Sequence, residues 1–186
     1  MPPGSCKKKC YTPCCVPPVN PCVRNAQNVQ NAINAFRTIV LANSTTNTSS
    51  SILPFSSLFA AGGTFTFYGS SAAVGPVTFI PFAGIYNVST EPSFTTFFNQ
   101  VGTSGITFAV GAPRDLTLSP DCLTLTSTVD VTFAPRCGVG GTQGPTSTLV
   151  NVIVFKFNAF GQIVSANVYT DTSGLALFYA TACPPL

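Results

Sequence analysis

Five of the chain's eight cysteines fall within its first 22 residues: Cys6, Cys10, Cys14, Cys15 and Cys22, in the run CKKKCYTPCCVPPVNPC. The other three, Cys122, Cys137 and Cys183, are dispersed. Thiols can oxidise to disulfides, hold a soft metal as thiolates, or stay reduced. Disulfides are the expectation, with all eight cysteines as candidates. The five-to-three division means that some N-terminal sulfurs must pair with each other, cross to another chain, bind metal or stay free. Cys122 and Cys137 flank one predicted strand with fourteen residues between them. An extended strand of that length separates them well beyond the ~7 Å Cα limit of a disulfide, so cysteines of the N-terminal segment are their natural partners. A zinc site of four thiolates from that segment is the second reading, although the usual pair of C-x2-C knuckles is missing.

Acid–base chemistry has few candidates. The chain contains no histidine, which removes imidazole catalysis and every histidine metal site. Its acids are Glu91, Asp115, Asp121, Asp130 and Asp171. Glu91 belongs to a predicted first helical turn, where it offsets the helix dipole. Asp115 and Asp121 lie near prolines in turns, and Asp130 falls on the polar parity of a strand. The glycine-rich run GVGGTQG at 138–144 lacks the Lys-Ser/Thr ending of a phosphate loop. No cofactor is expected.

Composition bounds the partners. Charged residues make up 7% of the chain, against about 25% in an ordinary soluble domain. A surface so poor in charge loses the repulsion that keeps proteins apart, which suits association. Lys7, Lys8 and Lys9 form one short basic run and the remaining basic residues are scattered, so no nucleic-acid footprint is present. No apolar stretch reaches the roughly 18 residues of a membrane span, and no hydrophobic segment follows the lysines as in a signal peptide.

The elements that must position these groups read as follows. Residues 1–24 form an extended arm rich in cysteine and proline. Val29, Ala32, Ile33, Phe36, Ile39 and Val40 recur at spacings of three and four, predicting a helix over 25–42 that begins at Asn20 or Asn25. The polar run 43–51 reads as a linker. A short second helix then starts near Ile52, with Pro54 in its first turn, and stops at Gly62-Gly63 before a strand over 64–68. Ser89 or Thr90 caps a third helix with Phe94, Phe97, Phe98 and Val101 on its buried stripe. The remainder reads as antiparallel β. One strand over 106–118 bends at Pro113, and residues 123–133 alternate apolar and polar. Leu149–Phe157 is apolar on both parities, as in a central strand. A turn at 158–161 precedes strands over 163–169 and 175–179. Helices first and sheet afterwards give an α+β class.

Three stretches carry a resemblance: ILPFSSLFAAGGTFTF at 52–67, PFAGIYNVSTEPSFTTFFNQV at 81–101, and FKFNAFGQIVSANVYTDTSGL at 155–175. Together they resemble the nuclear-transport-factor-2-like superfamily, nearest its SnoaL-like branch, over about residues 25–180. Phe82-Ala83-Gly84, Phe97-Phe98, Gly161-Gln162-Ile163 and Asp171 occupy the positions of that pattern. The resemblance implies a strongly curved antiparallel sheet wrapped as a cone around the helices. It also implies a pocket in which such enzymes use Asp, His or Tyr, which makes Asp171 the weak catalytic candidate with Tyr68, Tyr86, Tyr169 or Tyr179 as its partner, and an outer sheet face through which many members dimerise.

The sequence thus divides into an arm, 1–24, and a SnoaL-like domain with a short tail, 25–186. Its expected function is that of a self-assembling structural protein and not an enzyme: a fibre, tube or coat subunit, extracellular or on a particle surface, linked to its own copies by disulfides from the arm. The alternatives are a SnoaL-like enzyme or binder of a small apolar ligand, and a zinc-stabilised interaction module.

Overall fold

A computed structural model of the chain describes residues 19–42, 47–68, 82–88, 93–103, 106–137, 142–143 and 146–171. The expectations for Cys6, Cys10, Cys14, Cys15 and Cys183, for Ser89, Thr90 and Glu91, and for a strand over 175–179 fall outside those residues.

The first helix, α1, spans Pro21–Leu41. It starts earlier than 25 because Asn20 caps it, accepting a bond from the Cys22 backbone N–H at 2.9 Å, and Pro21 supplies a preset φ in the first turn. Val29, Ala32, Ile33, Ile39 and Val40 form its buried stripe. Helix α2, Ser49–Ser56, begins inside the stretch expected to be a linker. The Thr48 backbone N–H donates to Ser51 Oγ at 3.0 Å, half of a capping box that polar residues alone can build.

Strand β1, Phe59–Phe67, likewise begins before the two glycines expected to end a helix. Gly62 takes a positive φ of 75° and lets the strand bulge. The register against the last strand moves from Phe59↔Ile163 to Thr64↔Ser165 across that bulge. Only a glycine fits at 63, where a Cβ would lie 2.9 Å from the Ala60 carbonyl oxygen and 3.0 Å from that of Ile163.

The chain continues through β2 (Gly84–Asn87), α3 (Ser93–Thr103), β3 (Ile106–Leu118), β4 (Thr124–Cys137), β5 (Thr142–Gln143), β6 (Ser147–Phe157) and β7 (Ile163–Tyr169). The main sheet runs β2-β1-β7-β6-β4-β3, with β5 paired to β4. β3 is one bent strand, its register shifting on both sides of Pro113-Arg114. β6 is central, between β7 and β4. One correction concerns strand direction: β1 pairs with β7 in parallel, so the curved sheet is mixed and not wholly antiparallel. The fold class is α+β, three helices held against a curved sheet.

Phenylalanine dominates the interior. Phe94, Phe97 and Phe98 of α3 are almost wholly buried. They meet Phe55 of α2 and Phe65 of β1 with ring centroids between 4.9 and 6.2 Å apart, in offset and edge-on arrangements that favour the ring quadrupoles.

The first turn of α1 is fastened to both hairpin turns at one end of the sheet. Cys22 forms a disulfide with Cys122 in the β3–β4 turn, with Cα atoms 4.9 Å apart. The fully buried Asn25 donates to the Cys122 carbonyl at 2.8 Å. Arg24 donates to the Ala159 carbonyl at 3.1 Å and Asn28 to that of Gly161 at 2.8 Å, both in the β6–β7 turn. The disulfide spans 100 residues, and removing a cross-link of that loop length costs about 4–5 kcal/mol. Cys22→Ala, or full reduction, is expected to lower the melting temperature by roughly 10 °C or more, measured by differential scanning calorimetry. Equal melting with and without reductant would show that the link carries no stability.

Candidate functional site

The helices do not fill the concave face of the sheet completely. A hollow remains, with an interior of about 50 Å³; counting the space of its open mouth it reaches about 650 Å³. Ile33, Phe36 and Val40 of α1 form one wall, and Phe55 of α2 and Phe97 of α3 form others. The floor consists of inward residues of β1, β3, β4, β6 and β7. These project inward because they share one parity on each strand: Val129, Val131 and Phe133 on β4, and Asn151, Ile153 and Phe155 on β6. Nine of the sixteen phenylalanines line the hollow.

None of the lining residues is charged. Asn151 is the one with a polar side chain among them, 4% exposed, and its Oδ1 is buried without a hydrogen-bond partner. Such an amide oxygen ordinarily costs about 1–3 kcal/mol, so its presence in an apolar wall calls for a reason. There is a second orphan. Val152 of β6 pairs with Tyr169, the last residue of β7, and Thr170 follows it in the chain. The Thr170 Oγ1 is also buried and unpartnered.

Sequence reasoning missed both. Asn151 interrupts the inward series Leu149, Ile153, Phe155, Phe157, and that single polar residue on an apolar parity was the available signal. Thr170 continues the inward series Ala166, Val168 one residue past the end of β7. Ser127 interrupts β4 in the same manner, but it is satisfied, donating to the Arg114 carbonyl at 3.2 Å.

The acids expected from sequence are spread apart. Asp130 pairs with Arg114 at 2.6 Å in a half-exposed ion pair. Asp115 accepts from Thr128 Oγ1 at 2.6 Å within the bend of β3. Asp121 caps the β3–β4 turn, where bonds from the Ser119 hydroxyl and the Leu123 backbone N–H hold its carboxyl below the usual carboxylate range. Asp171 follows Thr170 directly and is exposed. The tyrosines proposed as its partners are engaged elsewhere. Tyr86 donates its hydroxyl to the Phe82 carbonyl at 2.9 Å and lies 2.9 Å from the Gln100 side chain, and burial raises its pKa. Tyr68 and Tyr169 stack on each other, centroids 4.5 Å apart. Tyr179 lies outside the described residues. Among the described residues no cluster of Cys, Asp or Glu could hold a metal ion.

No protein-family model and no curated protein matches the chain. Solved structures do. Bal32a from a soil-derived mobile gene cassette superposes with a TM-score of 0.57 at 17% identity, over 86% of this chain and 99% of that one. A "putative polyketide cyclase" from Xanthomonas campestris pv. campestris gives 0.57 at 13%, over 85% and 98%. A "putative SnoaL-like polyketide cyclase" from Jannaschia sp. CCS1 gives 0.54 at 15%, over 91% and 98%. These likenesses correct two expectations. The fold is shared with proteins named as cyclases, which speaks against a fibre, tube or coat subunit and against the exclusion of enzymes. The physical basis agrees: the cone holds a hollow, and the pairing of Cys22 with Cys122 inside one chain takes two sulfurs out of any cross-linking scheme. By structure as by sequence pattern, this chain has the SnoaL-like fold.

Proposed function

We propose that the protein is a SnoaL-like enzyme whose substrate is a small, largely apolar molecule held in the hollow of the cone. The observation that carries this reading is the aromatic hollow with an unpaired amide in its wall. A protein that only needed a core would gain by placing Leu or Val at 151. The names of the cyclases that share the fold point the same way.

The size of the hollow limits the substrate. An apolar cavity of 150 Å³ holds benzene, and the interior here is about 50 Å³. A ring-sized ligand therefore sits partly in the mouth, with its apolar end inward. The walls contribute orientation and exclusion of water, which strengthens any hydrogen bond formed inside. With no titratable group in the lining, proton transfer falls to the mouth. Asp171, next to Thr170, is the carboxylate assigned to it, as base toward a carbon whose proton is acidified by an adjacent carbonyl.

Three outcomes are expected. Val129 lies opposite Asn151 in the register and lines the hollow. Val129→Phe should fill the space and weaken toluene binding more than tenfold by isothermal titration, with the circular dichroism spectrum unchanged. If the wild-type protein binds neither toluene, p-cresol nor acetophenone, the reading fails. Proton NMR in D2O should show exchange of the α-protons of cyclohexanone above the buffer rate, and Asp171→Asn should abolish it without loss of binding. An exchange rate equal to that of buffer would remove Asp171 from the chemistry. Asn151→Leu should stabilise the fold by about 1 kcal/mol, raising the melting temperature by about 2–4 °C, because it removes a buried unpaired amide. A loss of stability instead would mean that the amide is a structural partner.

A further inference from the structure

Resting on the reading of the hollow as a ligand site, we infer that Asn151 and Thr170 form a polar subsite selecting ligands with a neutral hydroxyl group, that is, an apolar alcohol, phenol or enol. Two independent orphans meet at one place. Asn151 Oδ1 is an acceptor with nothing to accept from, and Thr170 Oγ1 is a hydroxyl with no bond in either direction. Asn151 lines the hollow, and Thr170 follows directly on Tyr169, the residue paired with Val152, so the register continued by one step sets it opposite Asn151. At such positions Cα atoms are about 5 Å apart, so a single oxygen can reach both side chains.

The chemistry of the pair narrows the group. An oxygen between them is best bonded if it donates to Asn151 Oδ1 and accepts from the Thr170 hydroxyl. A hydroxyl does both. An ether can accept but not donate, and leaves Oδ1 unpaired. A carboxylate brings a charge into a wall without a cation, where an unpaired ion is far costlier than an unpaired dipole. A hydrocarbon leaves both orphans as they are. The rest of the lining is apolar, so the remainder of the ligand is hydrocarbon or aromatic. The pair is also suited to the proposed chemistry: an enol, formed when Asp171 takes a ketone's α-proton and returns it to the carbonyl oxygen, carries the hydroxyl that the ketone lacks.

The test uses the full-length, oxidised protein and three probes that differ at one position: p-cresol, toluene and 4-methylbenzoate. Isothermal titration on the wild type should give p-cresol at least tenfold tighter than toluene, and 4-methylbenzoate weaker than either. Asn151→Leu and Thr170→Val should each reduce the preference for p-cresol severalfold and leave toluene binding in place, which shows that the hollow is still formed. The preference surviving in both variants, or toluene matching p-cresol in the wild type, overturns the subsite while leaving the hollow as a binding site. Failure of all three probes to bind the wild type overturns the subsite together with the reading it rests on. If Asn151→Leu does not fold, the Thr170→Val comparison decides alone.

Discussion

The cone exists because the first two turns of one helix are fixed to two turns of sheet. Cys22, Arg24, Asn25 and Asn28 all lie in the first two turns of α1, and each reaches a carbonyl or a sulfur in the β3–β4 or β6–β7 connection. These backbone carbonyls sit at hairpin ends, where no ladder partner is available, so the helix satisfies them in place of water. The arrangement sets the distance between α1 and the floor of the sheet. Ile33, Phe36 and Val40 follow one helical turn after another along the same face, and the hollow is the space left between them and the inward residues of β4 and β6. Gly161 belongs to the same junction. It takes a φ of +82°, and a Cβ there would collide with the Arg24 guanidinium.

Much of the fold was legible because period and parity report directly on burial. The stripe of α1, the phenylalanines of α3, the bend of β3 at Pro113 and the central place of β6 were all readable. Where the reading failed, a short-range signal had competed with a long-range one. Gly62 and Gly63 read locally as a helix stop, but their role is set by β7, some hundred residues later, through a bulge that no local pattern reveals. The parallel pairing of β1 with β7 was hidden for the same reason. The polar run before Ile52 looked like a linker because capping residues and loop residues are the same residue types.

The site was less legible than the fold. Attention went to thiols and carboxylates, groups that carry chemistry in their own right. The residues that distinguish the hollow are an amide and a hydroxyl, common on any surface and informative only through where they are buried. Asn151 could have been noticed as a break in an apolar parity, but Ser127 breaks the neighbouring strand's parity in the same way and is satisfied by the backbone. Sequence offers no means of telling the two apart, since the difference lies in whether a carbonyl from another strand happens to be within reach. One cysteine pairing was legible: the length of the strand between Cys122 and Cys137 points to partners in the N-terminal segment, and Cys22, in the first turn of α1, is bonded to Cys122.

The pairing of β1 with β7 has a consequence for biosynthesis. The two strands that meet in parallel are separated by about a hundred residues, and the Cys22–Cys122 link closes a loop of comparable length. A chain emerging from the ribosome can form α1 at once but cannot seat β1 until residue 163 and those after it have been made. Until then β1 presents an open edge and a row of phenylalanines to the surroundings. Such a chain needs either rapid completion or a holding chaperone, and a thiol oxidised too early, before Cys122 is available, would commit Cys22 to the wrong partner.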